Sequence, residues 1–325
     1  MLPNFSYVRA KSLEEALGHL SSPEVRIHAG GTDLLGCLRE EVFKVEKIVS
    51  ISGLKELKGI GETEDGGLRI GALTTITEIA ENPLIQKRYT ALAQGASEVA
   101  SPQLRNQGTL GGNICQKPRC WYYRGDFHCL RKGGETCYAV AGENRFHCIF
   151  GGDMCYIVHP SDTAPALMAF GAKVRIAGPK GFKTVFIEEF FVPPSRDVTR
   201  ETILEANELV VEILLPPPAH GVRSSYRKVR ARRSWDFALA GVALVLQFHG
   251  DAVADGRVVL SGAAPVPWRS VEVEKIILGK RLDAETVALA SRAVVKGAEP
   301  LEQNGYKLPL FQGMMEEELE AIAKA

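Results

Sequence analysis

The sequence has no long apolar run, and its opposite charges cancel. Thirty-nine basic and 39 acidic residues give a formal net charge of +0, so no overall basic field predicts a nucleic-acid partner. No apolar segment approaches the ~20 residues that span a bilayer. The first twenty residues also lack the basic region followed by an apolar region that marks a secretion signal. We therefore expect a cytoplasmic protein with neither nucleic acid nor membrane as a partner.

Familiar nucleotide-binding motifs are missing too, but two other glycine loops are present. AGGTDLL (residues 29–35) follows a predicted strand, and TLGGN (residues 109–113) follows a turn-rich segment. Neither matches GxGxxG or GxxxxGK[ST], which disfavours a Rossmann dinucleotide site and an ATPase. Paired glycines let the backbone approach a ligand closely, and their N–H groups suit phosphate oxygens. Either loop alone fits an ordinary turn, whereas together they indicate a phosphate-containing ligand.

Cysteine is concentrated in one stretch: six of the seven fall between residues 115 and 155. The odd count and the missing secretion signal disfavour a disulfide scaffold. The CxxC pairs of zinc ribbons and the closely spaced cysteines of ferredoxins are both absent. Four thiolates from one irregular loop could still close around a 4Fe-4S cluster. His128 and His147 each precede a cysteine, so a mixed zinc site and free cysteines remain alternatives.

The order of predicted elements favours an α+β chain of two domains. Ser12 is placed to cap a helix over LEEALGHL, and a hairpin is expected to turn at residues 178–181. Strands followed by helices in the second half predict an α+β layer. We expect domains at residues 1–180 and 181–325. A long irregular insertion at about 115–158 interrupts the first, and loops of this length are usually functional.

These motifs in their order resemble a known family. AGGTDLL, ASPQLRNQGTLGGN and HPSDTAPAL resemble the FAD-binding (middle) subunits of the xanthine dehydrogenase and carbon monoxide dehydrogenase family of molybdenum hydroxylases. YRKVRARRSWDFALAGVAL and LSGAAPVPWR resemble that family's flavoprotein C-terminal domain. The resemblance covers nearly the whole chain. It implies a PCMH-type FAD-binding domain of two α/β subdomains, followed by a domain of antiparallel sheet plus helices.

The resemblance implies a set of FAD-binding residues. The two glycine loops would hold the pyrophosphate, and Asp162 would contact the ribityl or ring region. Lys228 would approach the polar edge of the ring, where a cation stabilises the anionic reduced flavin. A helix cap at Asp162 and a solvated strand lysine at Lys228 are the plainer alternatives. The implied FAD-binding residues are Ala29, Gly30, Gly31, Thr32, Asp33, Leu34, Thr109, Gly111, Gly112, Asn113, Asp162 and Lys228.

The cysteine-rich insertion resembles one branch of this family. RCWYY, HCLRKGGETCY and MCYIVHPSD are similar to the β subunit of 4-hydroxybenzoyl-CoA reductase, in which a loop holds a 4Fe-4S cluster. The resemblance leaves Cys115 outside the ligand set. Cys148 lies in ENRFHCIFGG, which has no matching ligand in that pattern, and it could replace the fourth ligand. The implied cluster ligands are Cys120, Cys129, Cys137 and Cys155.

The implied function is electron transfer, with no residue of this chain acting on the substrate. A molybdopterin-binding large subunit would transform the substrate, and a small subunit with two 2Fe-2S clusters would connect it to FAD. Ferredoxin or an NAD-type acceptor would be the external carrier. Basic residues of the insertion predict docking of an acidic carrier such as ferredoxin; they are Lys117, Arg119, Arg124, Arg131 and Lys132. A self-contained flavin oxidoreductase and a zinc-stabilised assembly module are the alternatives.

Overall fold

A computed structural model describes residues 1–325, and the chain begins with a small parallel sheet. Its elements are β1 (Ser6–Arg9), α1 (Leu13–His19), β2 (Val25–His28), α2 (Leu34–Arg39) and β3 (Lys47–Ser50). β3 lies in the middle and pairs in parallel with β1 and β2. Ser12 caps α1 as predicted, because its hydroxyl accepts a hydrogen bond from the Glu15 N–H over 3.1 Å. The first glycine loop directly follows the end of β2 and therefore lies at one edge of this sheet.

The second sheet is antiparallel and has five strands in the order β4-β5-β8-β6-β7. Its strands are β4 (Ile60–Glu62), β5 (Leu68–Gly71), β6 (Lys173–Gly178), β7 (Gly181–Phe186) and β8 (Leu209–Leu215). The hairpin β6-β7 turns where predicted, with Gly178 paired to Gly181. β8 lies in the centre and pairs with β5 and β6. A strand from beyond residue 200 therefore completes a sheet that begins at residue 60.

Short helices connect and cover this second sheet. They are α3 (Ile76–Glu81), α4 (Pro83–Arg88), α5 (Thr90–Ser97), α6 (Pro102–Arg105), α7 (Leu110–Ile114), α8 (Trp121–Arg124), α9 (Thr163–Ala169) and α10 (Ile187–Phe190). Thr75 and Glu78 form a capping box at the start of α3. Asn82 caps α4 and Pro83 is its first residue, so α3 and α4 are separate short helices. Apart from α8 and a 3₁₀ turn at residues 130–132, the insertion has no regular structure.

The remainder of the chain is a four-stranded antiparallel sheet with three helices. They are β9 (Val222–Val229), β10 (Ala240–His249), β11 (Ala252–Ser261), β12 (Trp268–Arg269), α11 (Val271–Ile277), α12 (Ala284–Ala293) and α13 (Lys307–Lys324). The strand order is β12-β11-β10-β9. With the two preceding subdomains, this confirms the predicted α+β fold and its C-terminal domain of antiparallel sheet plus helices.

The third sheet is covered on both faces. One face contributes Tyr226, Ala243 and Val259 to a core of 31 buried residues shared with α5, α9 and the second sheet. The other packs on α11, α12 and α13 in a core of 21 residues. Burial of each large aliphatic side chain contributes about 1.5–3 kcal/mol. This packing brings β9 against the start of α9. None of the helices combines the length and hydrophobicity needed to cross a membrane.

Candidate functional site

The two glycine loops touch each other, and the contact requires glycine. A Cβ atom at Gly30 would lie 1.8 Å from the carbonyl oxygen of Gln107, just before the second loop. Gly31 has φ +73°, a left-handed conformation that disfavours other residues. A Cβ atom at Gly111 would approach the side chain of Ala72 to 2.9 Å. The sequence therefore builds two closely apposed loops whose backbones are open to a ligand.

Asn113 connects the second glycine loop to the start of α9. Its side-chain oxygen accepts hydrogen bonds from the hydroxyls of Ser161 (2.5 Å) and Thr163 (2.7 Å). Both belong to the HPSDT segment singled out in the sequence. Asp162, between them, lies at the start of α9, and its side chain makes no capping hydrogen bond. These contacts place Asp162 beside the glycine loops, although the two segments are about fifty residues apart.

Three neighbouring cavities, of about 240, 360 and 320 Å³, lie in a row in which each shares wall residues with the next. Thr32 and Thr109 line the first and second cavities, and Arg119 and Asp162 line the second and third. We call this the long groove. Of the twelve residues predicted to bind FAD, Lys228 alone does not line the long groove. The eleven that line it are Ala29, Gly30, Gly31, Thr32, Asp33, Leu34, Thr109, Gly111, Gly112, Asn113 and Asp162.

Lys228 does not line the long groove itself, but its ammonium contacts two residues that do, Asp162 and Asp236. Its ammonium is buried and donates to Asp162 Oδ2 at 2.7 Å and to the backbone oxygens of Asp236 at 2.9 Å and Glu98 at 3.1 Å. An ammonium has three donors, so all are used within the protein. Tyr226 donates to Asp162 Oδ1 at 2.9 Å. Burial raises the pKa of Asp162, and Lys228 and Tyr226 oppose that shift by stabilising the carboxylate.

Tyr226 was not foreseen from the sequence, although a signal was available. It precedes Lys228 by two residues on β9, and side chains two apart in a strand share one face. Its hydroxyl also lies 3.0 Å from the Ser261 hydroxyl. Because Tyr226 donates to Asp162, Ser261 donates to Tyr226. The result is a buried relay of hydrogen bonds that orients the Asp162 carboxylate, which lines both the second and third cavities.

The cysteines predicted as cluster ligands surround a single small apolar cavity. Tyr122, Tyr123, Tyr138 and Ile157 complete much of its wall. We call this the cysteine cavity; its cysteines are Cys120, Cys129, Cys137 and Cys155. Cys148 is fully buried and lies outside it. Cys115 lines the long groove instead. No three His, Cys, Asp or Glu side chains lie close enough together to hold one metal ion.

The protonation of these thiols is uneven. A hydrogen bond with the Cys137 thiol lowers the pKa of Cys155 to about 6; burial opposes this shift, and the Arg131 charge adds to it. Burial raises the pKa of Cys120 to about 11. The apolar wall thus favours the neutral thiol of Cys120, whereas the Cys137 thiol and the Arg131 charge favour the thiolate of Cys155. An added positive charge in the cavity would favour thiolates at both positions.

His147 forms part of the wall between the two sites. It lines both the third cavity of the long groove and the cysteine cavity. Its Nε2 lies 3.3 Å from the Cys120 Sγ. Burial, and then the charge of Lys307, lower the pKa of His147 to about 4, so the ring is neutral. In the sequence its position beside Cys148 suggested a zinc ligand; the structure directs it toward Cys120 instead.

Most basic side chains of the insertion form internal ion pairs. Arg119 and Arg124 contact Asp33 at 2.9 and 2.7 Å, and Lys117 and Arg131 contact Glu201. Lys132 donates to a backbone oxygen within the insertion. The insertion also exposes several large apolar side chains: Trp121, Phe127, Tyr138, Val140, Phe146 and Met154. The basic residues thus anchor the insertion to the rest of the chain, and Asp33 joins it directly to the first glycine loop.

Comparisons with known proteins agree with this geometry. Residues 3–218 match the family model described as the FAD binding domain in molybdopterin dehydrogenase, and residues 224–318 match the CO dehydrogenase flavoprotein C-terminal domain. The chain is 36% identical to the aldehyde oxidoreductase FAD-binding subunit PaoB of Escherichia coli K12, covering 94% of each chain. It is 32% identical to the carbon monoxide dehydrogenase medium chain of Hydrogenophaga pseudoflava, covering 92% and 89%. A solved carbon monoxide dehydrogenase from that organism superimposes with a TM-score of 0.77 at 28% identity, covering 100% and 98%.

Proposed function

Because the chain belongs to the family of FAD-binding subunits of molybdopterin dehydrogenases, we propose that it is the electron-transfer subunit of such a complex, with FAD in the long groove. The observation that carries this is the junction of both glycine loops and Asp162 in one groove. The loops would hold the pyrophosphate, and the third cavity would receive the flavin ring. When bound, FAD exchanges electrons singly or in pairs, and an iron–sulfur cluster exchanges them singly.

The binding of FAD by the glycine loops can be tested at Gly30. Gly30→Ala is expected to reduce the FAD content roughly tenfold or more, which corresponds to a loss of binding free energy above about 1.4 kcal/mol. The reason is that the added Cβ atom would lie 1.8 Å from the Gln107 carbonyl oxygen, so the two loops must move apart. Bound FAD is measured by absorption and by fluorescence after denaturation. Gly53→Ala is the matched control, since a Cβ atom there meets nothing within 4 Å. Normal FAD content in the Gly30 variant would count against the assignment.

We further propose that the cysteine cavity holds a 4Fe-4S cluster. The donor set fits: four thiols from one insertion surround a cavity whose wall is largely apolar. A single zinc ion needs its ligand atoms about 2.0–2.3 Å from one common point, and no group of three such side chains exists. In a cluster each thiolate binds a different iron, so the sulfurs stand farther apart. The cavity also supports Cys155 rather than Cys148 as the fourth ligand.

A pair of cysteine variants tests this assignment. Cys155→Ala is expected to lose most of the iron and acid-labile sulfide, because it removes a cavity thiol. Cys148→Ala is expected to retain both, because Cys148 lies outside the cavity. Iron, sulfide and FAD are measured on protein purified without oxygen, after subtraction of the clusters of any partner subunit. The reverse pattern would assign the fourth ligand to Cys148, and wild-type protein with FAD but no iron would remove the cluster from the proposal.

The complex would include a molybdopterin-binding large subunit and a small subunit with two 2Fe-2S clusters. The support is the full-length similarity to a carbon monoxide dehydrogenase medium chain and to an aldehyde oxidoreductase FAD-binding subunit. In this arrangement the substrate reacts on the large subunit, and the present chain supplies the electron route. Co-purification of both subunits with a tagged form of this chain from its host would support the assembly; recovery of the chain alone would oppose it.

We propose ferredoxin as the external electron carrier, because the cysteine-rich insertion resembles that of the 4-hydroxybenzoyl-CoA reductase β subunit. The basic residues expected to steer it are mostly paired with Asp33 and Glu201. Pairing of this kind leaves little long-range field to accelerate encounter. We therefore expect ferredoxin to reduce the complex at a rate that changes little between low and high salt. A steep loss of rate with salt would restore charge steering, and no reduction at all would favour an NAD-type carrier.

A further inference from the structure

His147 stands between the long groove and the cysteine cavity. Together with Cys120 and Ile157 it lines both spaces, so these three residues form the partition between them. Its imidazole Nε2 is 3.3 Å from the Cys120 Sγ, within range of a hydrogen bond to sulfur. His147 belongs neither to the glycine loops nor to the four cysteines, so the roles proposed above do not explain this contact. The contact places a buried imidazole beside one of the four sulfurs of the cysteine cavity.

The backbone around His147 is held by the segment that precedes α13. Asn304 is fully buried, and its side-chain N–H groups donate to the carbonyl oxygens of His147 at 3.1 Å and Cys148 at 3.0 Å. The His147 N–H donates to the Asn144 backbone oxygen at 2.9 Å. The Asn144 side chain in turn accepts from the Gln303 N–H at 2.9 Å. The backbone that carries the imidazole is therefore held by Asn144 and by the segment before α13.

The hydrogen-bond inventory decides which ring nitrogen carries the proton. His147 Nδ1 is buried and has no partner, whereas Nε2 faces the Cys120 sulfur. A proton on Nδ1 would leave a buried donor unsatisfied, which is rare and costly. It would also direct the Nε2 lone pair at the lone pairs of the sulfur. A proton on Nε2 leaves only an unpaired acceptor at Nδ1 and lets the N–H donate to Cys120.

We infer that His147 donates a hydrogen bond from Nε2 to the Cys120 sulfur and thereby sets the reduction potential of the centre in the cysteine cavity. This inference rests on the proposed cluster. Hydrogen bonds to the sulfurs are among the factors that set cluster potentials. A donor withdraws electron density from the thiolate and stabilises the reduced, more negative state. His147 acts through Cys120, so it is a positioning residue. Of the four cysteines of the cysteine cavity, Cys120 is the one that also lines the third cavity of the long groove.

Two substitutions at this position separate the hydrogen bond from the bulk of the ring. His147→Leu fills similar space without a donor, and His147→Gln keeps an N–H group. Each is made in the complex purified without oxygen, and the cluster is followed by electron paramagnetic resonance during a reductive titration. For the leucine variant we expect a more negative midpoint, equivalent to about a tenfold change in the redox equilibrium or about 59 mV for one electron. The glutamine variant recovers most of that shift.

The flavin midpoint and the FAD, iron and sulfide contents provide the controls. All four are expected to match the wild type in both variants. An unchanged cluster midpoint in an iron-replete leucine variant would overturn this inference and leave the cluster assignment standing. Loss of iron from both variants would also overturn it, because it would make His147 a ligand or a structural support. Wild-type protein without iron–sulfur absorption would overturn the inference together with the cluster proposal.

Discussion

Asp162→Ala is expected to lower the free energy of unfolding by about 3–5 kcal/mol and to remove bound FAD. The substitution leaves the Lys228 ammonium buried, with two backbone carbonyls as its only remaining partners. It also frees the Tyr226 hydroxyl, which is buried at the same carboxylate. Because Asp162 lines the second and third cavities, the groove loses the group that fixes its polarity there.

The origin of this effect can be separated by a second variant. Asp162→Asn combined with Lys228→Met removes both charges and keeps similar volumes, so it is expected to cost less than Asp162→Ala alone. Urea unfolding of the FAD-free chain gives the stabilities, and FAD content is measured separately. Equal costs for the single and double variants would show that the buried ammonium is not the cause. A double variant that regains stability but lacks FAD would assign the Asp162–Lys228 pair a role in FAD binding that is separate from its role in stability.

The local elements were predictable because their signals lie within a few residues. The Ser12 cap, the hairpin at residues 178–181 and the two glycine loops each follow from short patterns. Strand pairing is different, because β8 contacts β5 across more than 140 residues, as Glu212 contacts Arg69. A short apolar strand does not specify its partner. The predicted domain boundary at residue 180 stays a prediction, and β8 lies beyond it in sequence.

The same distinction applies to single side chains. The resemblance placed Lys228 near the flavin, and β9 does direct it toward α9. Its three acceptors come from Glu98, Asp162 and Asp236, which no local pattern connects to it. The basic residues of the insertion behave alike, since Lys117 and Arg131 meet Glu201 at separations of 84 and 70 residues. Charge counted along the sequence therefore overstated the charge available to a partner.

The four cysteines proposed as cluster ligands show what a family pattern adds. Spacing alone left zinc, free thiols and a cluster open, and left Cys148 as a rival to Cys155. The structure separates these two residues because the chain turns between them: the Cys148 N–H donates to the Tyr156 backbone oxygen, and Gly151 adopts φ +56°. The turn directs Cys155 into the cysteine cavity and buries Cys148 outside it. The direction of a side chain after a tight turn is not readable from spacing.

Glu201→Ala is the second change with a large expected effect, and it acts on the insertion. The Glu201 carboxylate pairs with Arg131 at 2.7 Å and with Lys117, and the Arg131 side chain is 1% exposed. Removing the Glu201 carboxylate leaves the buried Arg131 guanidinium without its ion pair beside the cysteine cavity. We expect this to lower the free energy of unfolding by about 3 kcal/mol or more. We expect the insertion to open, so that the thiols of metal-free protein react faster with a thiol reagent and reconstitution with iron falls, while FAD remains bound.

The pH dependence of this anchor gives an independent check. Burial raises the pKa of Glu201, but Lys117 and Arg131 outweigh it and hold that pKa below the ordinary 4.5. A lowered carboxylate pKa contributes stability above the unfolded value, and that contribution is lost as the pH falls through the folded one. Acid should therefore release the thiols of wild-type protein. Glu201→Gln should release them already at neutral pH, with little further change on acidification. Glu205→Gln is the matched control, because Glu205 is 62% exposed in its pair with Arg200; equal thiol reactivity in the two variants would refute the anchoring role of Glu201.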